Sequence, residues 1–337
     1  MDIHVGILTA PKIDYELLDH GFLLRNVRIG IGFHWDRFED QEFEGQLHII
    51  HHADNTQTAV NTIDLERYLT SVISSEMAST APMELLKAHA VIARSWALRA
   101  IGHTSHVGFD VCADDHCQRY EGLHRRSHRA IEAVEATCGE VLMYKGEVCD
   151  CRYHKCCGGS TEIFSTCWED IDVPYLRSVE CPYCGESLPN SSLNDYDLET
   201  KDYHDWEVHY SQQELSRIVH AKSGIDFGLI TGLIPLQRGL SGRISQLRIE
   251  GTKRSQIIGK ELCVRQWLSP KCLYSSWMDI KHETEAKGLL SFHLMGHGWG
   301  HGVGLCQIGA AVMAEQGFTY TQILQHYYQG ANIVPIT

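Results

Sequence analysis

The sequence predicts a mixed α+β fold: a β-rich core with a helical elbow that carries Glu76. Three observations support this. Apolar residues alternate singly through stretches of the first 60 positions, the period lengthens to that of a helix near Asp64, and strand-like runs return after about residue 140. We divide the chain into a β-rich N-terminal part, 1–60, and a mixed body, 61–337, with an insertion or subdomain at about 190–290.

The elements follow in order. Ile3, Val5 and Ile7 alternate, as do Val27, Ile29 and Ile31, and a third run covers Gln46 to His51. From Asp64, a suitable N-cap, Leu65, Tyr68, Leu69, Val72 and Ile73 follow the i, i+3, i+4 rule. That helix ends at or just before Glu76. The next begins around Pro82, a residue tolerated in a first turn. Met83, Leu86, Ala90, Ala93 and Ala97 lie on one side of it, and Leu85, Ile92 and Trp96 on another. A helix apolar on most of its circumference is buried on most of it, so the elbow before it is held rigidly. Arg94 belongs to this helix. A short helix is expected from Arg129 to Cys138, then strands between Val141 and Tyr153, then a cysteine-rich loop region. Residues 190–290 are more polar and their pattern is weaker. The chain closes with a Gly/His loop, a helix through Cys306–Gln316 and another through Tyr320–Tyr328.

Composition narrows the function. The net charge of −14 argues against nucleic acid and anionic membrane surfaces, because such partners are held by clusters of Lys and Arg. An uncharged or mixed-charge substrate fits better. No run of about 18 apolar residues is present, so no transmembrane helix is expected. The opening residues, Met1 to Leu8, lack the basic and apolar regions of a secretion signal and read as a strand.

Thirteen cysteines is a high count, and ten of them lie between Cys112 and Cys184, among 21 histidines in the chain. Clustering of this kind favours metal over disulfide. His106, Cys112 and Cys117 place three N/S ligands within twelve residues, short spacing that suits a tetrahedral zinc, with His116 beside Cys117. Asp110, Asp114 and Asp115 are candidates to orient the histidines. Three ligands leave a position for water or for a distant fourth ligand. Cys149, Cys151, Cys156, Cys157, Cys167, Cys181 and Cys184 leave a second metal site, a disulfide and free thiols equally open.

Two further features concern chemistry. Glu76 would need a raised pKa to act as a general acid, which apolar neighbours such as Val72 and Met77 can supply. From spacing alone, a solvated glutamate at a helix end is the plainer reading. The run Gly296 to Gly304 alternates five glycines with His297, Trp299, His301 and Val303. Such a run lets backbone approach a ligand closely, while tryptophan stacks and histidine donates. A tight structural turn is the bland alternative.

The string LERYLTSVISSEMASTAPMELLKAHAVIARSWAL resembles the signature of the SpoIID/LytB family, a YL-x-x-V-x-x-E-M turn followed by an LKA-x-A-x-x-AR helix. CGGSTE at 157–162, PYL at 174–176, GHGWGHGVGLCQIGA and HYYQGANI resemble its other blocks. The match runs from about 65 to 333 with gaps around 190–290. Ala78 stands where many relatives have proline, and Cys157 and Cys306 where serine is common. The extra cysteines are not a general family feature.

The resemblance implies a SpoIID-like fold and a peptidoglycan lytic transglycosylase acting on glycan strands lacking stem peptides. Glu76 maps onto the catalytic acid, and Arg94 onto the arginine of the helix. His106, Cys112 and Cys117 map onto the zinc ligands of a metal-bound member, with slightly different spacing between the cysteines. As substrate-binding candidates we take Arg94, Gln118, Tyr120, Gly158, Gly159 and Thr161. His297, Gly298, Trp299, His301 and Gln307 complete that set. Zinc would hold a loop rather than activate water. Ordinary glycosidases use two carboxyls, whereas here one would protonate the glycosidic oxygen and then accept the proton of the muramic C6 hydroxyl. Two alternatives stand beside this reading. One is a non-catalytic, glycan-gripping enhancer of a cell-wall amidase. The other is a zinc hydrolase with Asp114 or Asp115 as base. The substrate implies a location in the cell envelope, periplasmic or extracellular, and the missing signal leaves a cytoplasmic one open.

Overall fold

A computed structural model describes residues 1–103, 106–185, 193, 204–284 and 289–336. Parts of the 190–290 segment therefore lie outside the described residues. Strands β1 (Asp2–Ala10), β2 (Tyr15–Leu18), β3 (Gly21–Ile29), β4 (Arg37–Glu44), β5 (Gln46–His51) and β6 (Gln57–Asp64) come first, followed by helices α1 (Leu65–Glu76) and α2 (Met83–Ala100). Strand β1 pairs antiparallel with β6 and parallel with the short β7 (Val111–Cys112), giving the sheet order β5-β6-β1-β7. Strands β2, β3 and β4 form a second, antiparallel sheet. The fold class is the mixed α+β one that the changes of period predict.

The N-terminal strands do not form a body of their own. Ile3, Val5, Phe22 and Phe43 pack in one core with Tyr68 and Leu69 of α1 and with Ala90 and Ala93 of α2. The same core takes in Cys157, Cys306 and the two last helices, Gln307–Glu315 and Tyr320–Tyr327. Helix α2 is buried from Leu85 through Ala97 with one half-buried interruption at Lys87, as its apolar circumference demands.

A second, separate core joins Trp206, Leu215, Ile230, Leu247, Val264, Met278 and Leu294. It is built from two three-stranded antiparallel sheets and two helices, Gln212–Ser223 and Glu261–Trp267. The polar composition of 190–290 thus conceals regular structure. Strand Asp205–Ser211 buries Trp206 and Tyr210 and exposes the charged or polar residues between them, which lowers its mean hydropathy without lowering its strand character.

Candidate active site

The elbow follows from local chemistry. Asp64 caps α1, its carboxylate accepting from the backbone N–H of Glu66 at 3.0 Å and of Arg67 at 3.4 Å. The helix ends at Glu76, after which Met77 adopts extended backbone. The last turns of α1 carry buried serines, small enough for another segment to cross directly over them. Ser71 Oγ donates to the Gly122 carbonyl at 2.7 Å, Ser75 Oγ accepts from Glu121 N at 3.2 Å, and Ser74 Oγ accepts from Ser127 N at 3.2 Å. This crossing brings Arg119 to Glu76.

Two donors meet the Glu76 carboxyl. The Arg119 backbone N–H lies 3.4 Å from Oε1, and the Tyr153 hydroxyl donates to the same oxygen at 3.1 Å. Glu76 keeps some open surface, but its carboxyl is enclosed, and burial pushes its pKa up from the usual glutamate range. The charges of Arg119 and Lys155 and the Tyr153 hydrogen bond oppose that rise, while Asp115 adds to it. The negative end of the α1 dipole acts in the same upward direction. Burial also holds the Tyr153 phenol well above its ordinary value, so it remains a donor.

Around this pair lies a shell of buried polar groups. The His89 ring sits 4.5 Å from that of Tyr153, and burial pushes its pKa down to about 3, so it is neutral near pH 7. The Gln307 side-chain amide hydrogen-bonds His89 Nε2 at 3.3 Å. Gln118 accepts from the Tyr68 hydroxyl at 3.1 Å. Arg119 is steadied by Glu121, a fully buried carboxylate 3.5 Å from Arg119, 3.4 Å from Arg37 and 3.1 Å from Arg125. The Arg119 guanidinium lies over the Trp35 ring at 5.1 Å, and Trp35 Nε1 donates to Asp115 at 3.0 Å.

His106, Cys112 and Cys117 converge, and His116 joins them. One ligand atom from each lies within 4.8 Å of the others. His106 Nε2 is 3.2 Å from Cys117 Sγ, and His116 Nδ1 is 3.6 Å from Cys117 Sγ and 4.0 Å from Cys112 Sγ. A tetrahedral zinc with its usual bond lengths separates its ligands by roughly 3.3–3.8 Å, so this Cys2His2 set fits one. His116 occupies the position that the sequence left for water or a distant ligand.

The remaining candidates are placed elsewhere or buried. Arg94 is fully buried and clamps Glu66 through two bonds of 2.8 and 2.6 Å, with a third to the Glu140 carbonyl at 3.0 Å. It ties α2 to α1 and presents no face to a glycan. Tyr120 is buried against Phe43 and Tyr68 and accepts from Asn61 at 2.7 Å. Thr161 accepts from the Val179 N–H at 2.8 Å in the core. Trp299 is only 5% exposed, covered by the half-buried rings of Trp35 and Tyr274, so it offers no stacking face. His297 pairs with Asp205 at 2.6 Å, and His301 accepts from the Val303 N–H at 3.0 Å beside Trp168. Gly158 and Gly298 turn with positive φ where a Cβ would meet Trp277 and the Cys156 carbonyl, so they are needed by the turn itself. Gly159 also has positive φ, but space around it is open. A cavity of about 330 Å³ lined by Asp170, Gln237 and Lys260 shares no residue with the Glu76 group.

Sequence reasoning missed Tyr153, His89, Arg119 and Trp35 as site residues. Trp35 carried a signal, since it follows Gly30 and Gly32 in an aromatic-rich turn. Tyr153 and His89 carried none, because a tyrosine after cysteines and a histidine in an apolar helix read as packing.

Comparison with known proteins gives consistent findings. A family model described as stage II sporulation protein matches residues 53–144, and a domain of unknown function matches 162–304. An uncharacterized protein of Brachyspira hyodysenteriae is 32% identical over 295 residues, covering 87% of this chain and 72% of the relative. Stage II sporulation protein D of Bacillus subtilis is 27% identical, covering 82% of this chain and 76% of its own length. The amidase enhancer of Bacillus subtilis is 25% identical, and the match spans 40% of that longer protein.

Proposed function

The chain belongs to the SpoIID/LytB family, and on that premise we propose that it is a peptidoglycan lytic transglycosylase with Glu76 as its single general acid and base. The relatives support a cell-wall-related role, and with it action in the cell envelope. Among the described residues, no helix is long and apolar enough to cross a membrane. One observation carries the finer reading: an enclosed carboxyl whose pKa is raised, in contact with a phenol, at the rigid end of a helix.

In this reading the protonated Glu76 donates to the glycosidic oxygen between N-acetylmuramic acid and N-acetylglucosamine. The resulting carboxylate is stabilised by Tyr153 and the Arg119 N–H. It then accepts the proton of the muramic C6 hydroxyl as that oxygen attacks C1, giving a 1,6-anhydro sugar without consuming water. Neutral His89, held by Gln307, keeps Tyr153 in place without adding a competing charge. Trp35, its ring stacked against Phe33 and lying under the Arg119 guanidinium, would hold Arg119 beside the bound strand. A zinc held by His106, Cys112, His116 and Cys117 would fix the segment that carries Arg119. Four protein donors fill a tetrahedron, which argues against a zinc-activated water and so against the hydrolase alternative.

The amidase-enhancer reading remains the competitor because one relative bears that name. Glu76→Gln separates the two. Strand binding should be retained while release of anhydro fragments falls by about 10²–10⁴-fold, the usual worth of a general acid. The folded state raises the pKa of Glu76, so its contribution to stability is present at low pH and lost as pH rises through that pKa. The glutamine variant should accordingly melt no lower than wild type at neutral pH. A variant that still releases anhydro fragments at the wild-type rate contradicts the proposal. If neither protein releases fragments but both stimulate an amidase equally, the enhancer reading replaces it.

A further inference from the structure

Four thiols outside the Glu76 group come together from three distant stretches of chain. Cys157 lies in the turn after strand Tyr153–His154. Cys181 precedes and Cys184 lies within the 3-10 turn Pro182–Gly185, and Cys306 caps the helix Gln307–Glu315. All four are buried, and their sulfurs all lie within 4.8 Å of one another. Cys157 Sγ and Cys184 Sγ are 3.3 Å apart. That is far outside the bond length of a disulfide, about 2.05 Å, and close to the roughly 3.8 Å between sulfurs sharing a tetrahedral zinc.

The surroundings are those of thiolates rather than of four apolar thiols. Backbone N–H groups point at the sulfurs: Cys157 N to Cys306 Sγ at 3.3 Å, Gly309 N to Cys306 Sγ at 3.4 Å, and Gly159 N to Cys157 Sγ at 3.4 Å. The Tyr327 hydroxyl lies 3.2 Å from Cys181 Sγ. Outer donors of this kind neutralise metal-bound sulfur and orient it. A Cβ on Gly309 would lie 2.5 Å from Cys181 Sγ, so only glycine lets the helix start this close to the cluster. Cys156, next in the chain, also approaches Cys184 and Cys306, and its backbone bonds reciprocally with Trp299.

We propose that Cys157, Cys181, Cys184 and Cys306 hold a zinc ion in an all-thiolate tetrahedral site, distinct from the His106 set. The site staples three segments that contribute to the catalytic region. It fixes the turn that follows Tyr153, it fixes the helix start that carries Gln307, and it closes the loop of 181–185 over both. It depends on no reading of the glycan chemistry.

Metal content of the full chain tests this. The wild type should carry two zinc ions per chain. Cys306→Ser and His106→Ala should each lose one, and the double variant both. Cobalt substitution should give a sulfur-to-cobalt charge-transfer band about twice as intense per ion in His106→Ala, where four thiolates remain on the metal, as in Cys306→Ser, where two do. Should Cys306→Ser not fold, the unaltered protein can be denatured without reductant and alkylated, with and without chelator. Cys157, Cys181, Cys184 and Cys306 should react fully once chelator is present. An unchanged zinc content in folded Cys306→Ser, or a requirement for reductant before these four cysteines react, overturns the site.

Discussion

Residues 106–121 reach Glu76 as one contiguous stretch, whereas the Tyr153 and Gln307 side is assembled from segments about 150 residues apart, as the 149-residue separation of Cys157 and Cys306 shows. The first carries charge: Asp115, Arg119 and Glu121 beside a half-exposed Cys2His2 set. The second is more deeply buried, with neutral His89, Gln307 and four enclosed cysteines, and it brings Lys155 to Glu76. The difference separates two tasks. The first side is continuous in sequence but is anchored by long-range contacts to β1, Trp35 and Arg37. The assembled side joins strands and helices from across the main core and would hold Glu76 in the proposed geometry.

The largest expected effect is on stability. Cys306→Ser should lower the melting temperature far more than Cys112→Ser, because it removes a ligand from inside the core. The loss is a sizeable part of the ~10–16 kcal/mol that a structural zinc can contribute. A chromophoric chelator should likewise strip the His106 set first and the buried set only on unfolding. Equal sensitivity of the two sites would erase the distinction.

Next comes Arg94. Arg94→Met breaks a bidentate pair between a buried guanidinium and a partly exposed Glu66 and should cost about 2 kcal/mol in chemical denaturation. KM of the folded fraction should be unchanged; a raised KM would return Arg94 to the substrate site.

Tyr153→Phe should reduce kcat/KM about tenfold, since one hydrogen bond to a charged group is worth roughly 1.5 kcal/mol. It should also move the pH profile. Activity of a general acid falls as pH rises through its pKa, and the Tyr153 bond lowers the Glu76 pKa. Losing that bond should shift the falling limb to higher pH; a shift to lower pH would mean that Tyr153 does not act on Glu76.

Smallest is Trp35→Phe, which keeps a ring but removes the bond to Asp115. The expected change is two- to fivefold in KM, from about 1 kcal/mol or less. A kcat effect without a KM effect would place Trp35 in the chemistry instead.

What could be read from sequence divides along the same line. Asp64, the spacing of Leu65 to Ile73, and the apolar girth of Met83–Ala100 made the elbow and the position of Glu76 legible, because each is a local property. The His106, Cys112 and Cys117 trio was legible for the same reason, and His116 was visible beside it though not assigned. Tyr153 and His89 were not, and Gln307, taken from the sequence as a substrate-binding candidate, was not tied to them, since their proximity depends on pairing of strands Tyr153–His154 and Leu305–Cys306. Arg94 shows the converse. Its helix position was right, but helical period alone does not say whether a guanidinium faces a groove or Glu66 of the neighbouring helix. The second core at 206–294 was expected only as an insertion or subdomain at about 190–290, and its regular structure was not read because strands such as Asp205–Ser211 alternate large apolar residues with polar ones, so average polarity masked period 2.

The most direct measurement is mass spectrometry of the new ends made when the wild-type chain acts on glycan strands stripped of stem peptides, in water enriched in oxygen-18. Intramolecular attack by the C6 hydroxyl predicts 1,6-anhydromuramic ends free of the heavy isotope. Reducing ends carrying one oxygen-18 would show hydrolysis by water and contradict the single-carboxyl mechanism proposed for Glu76.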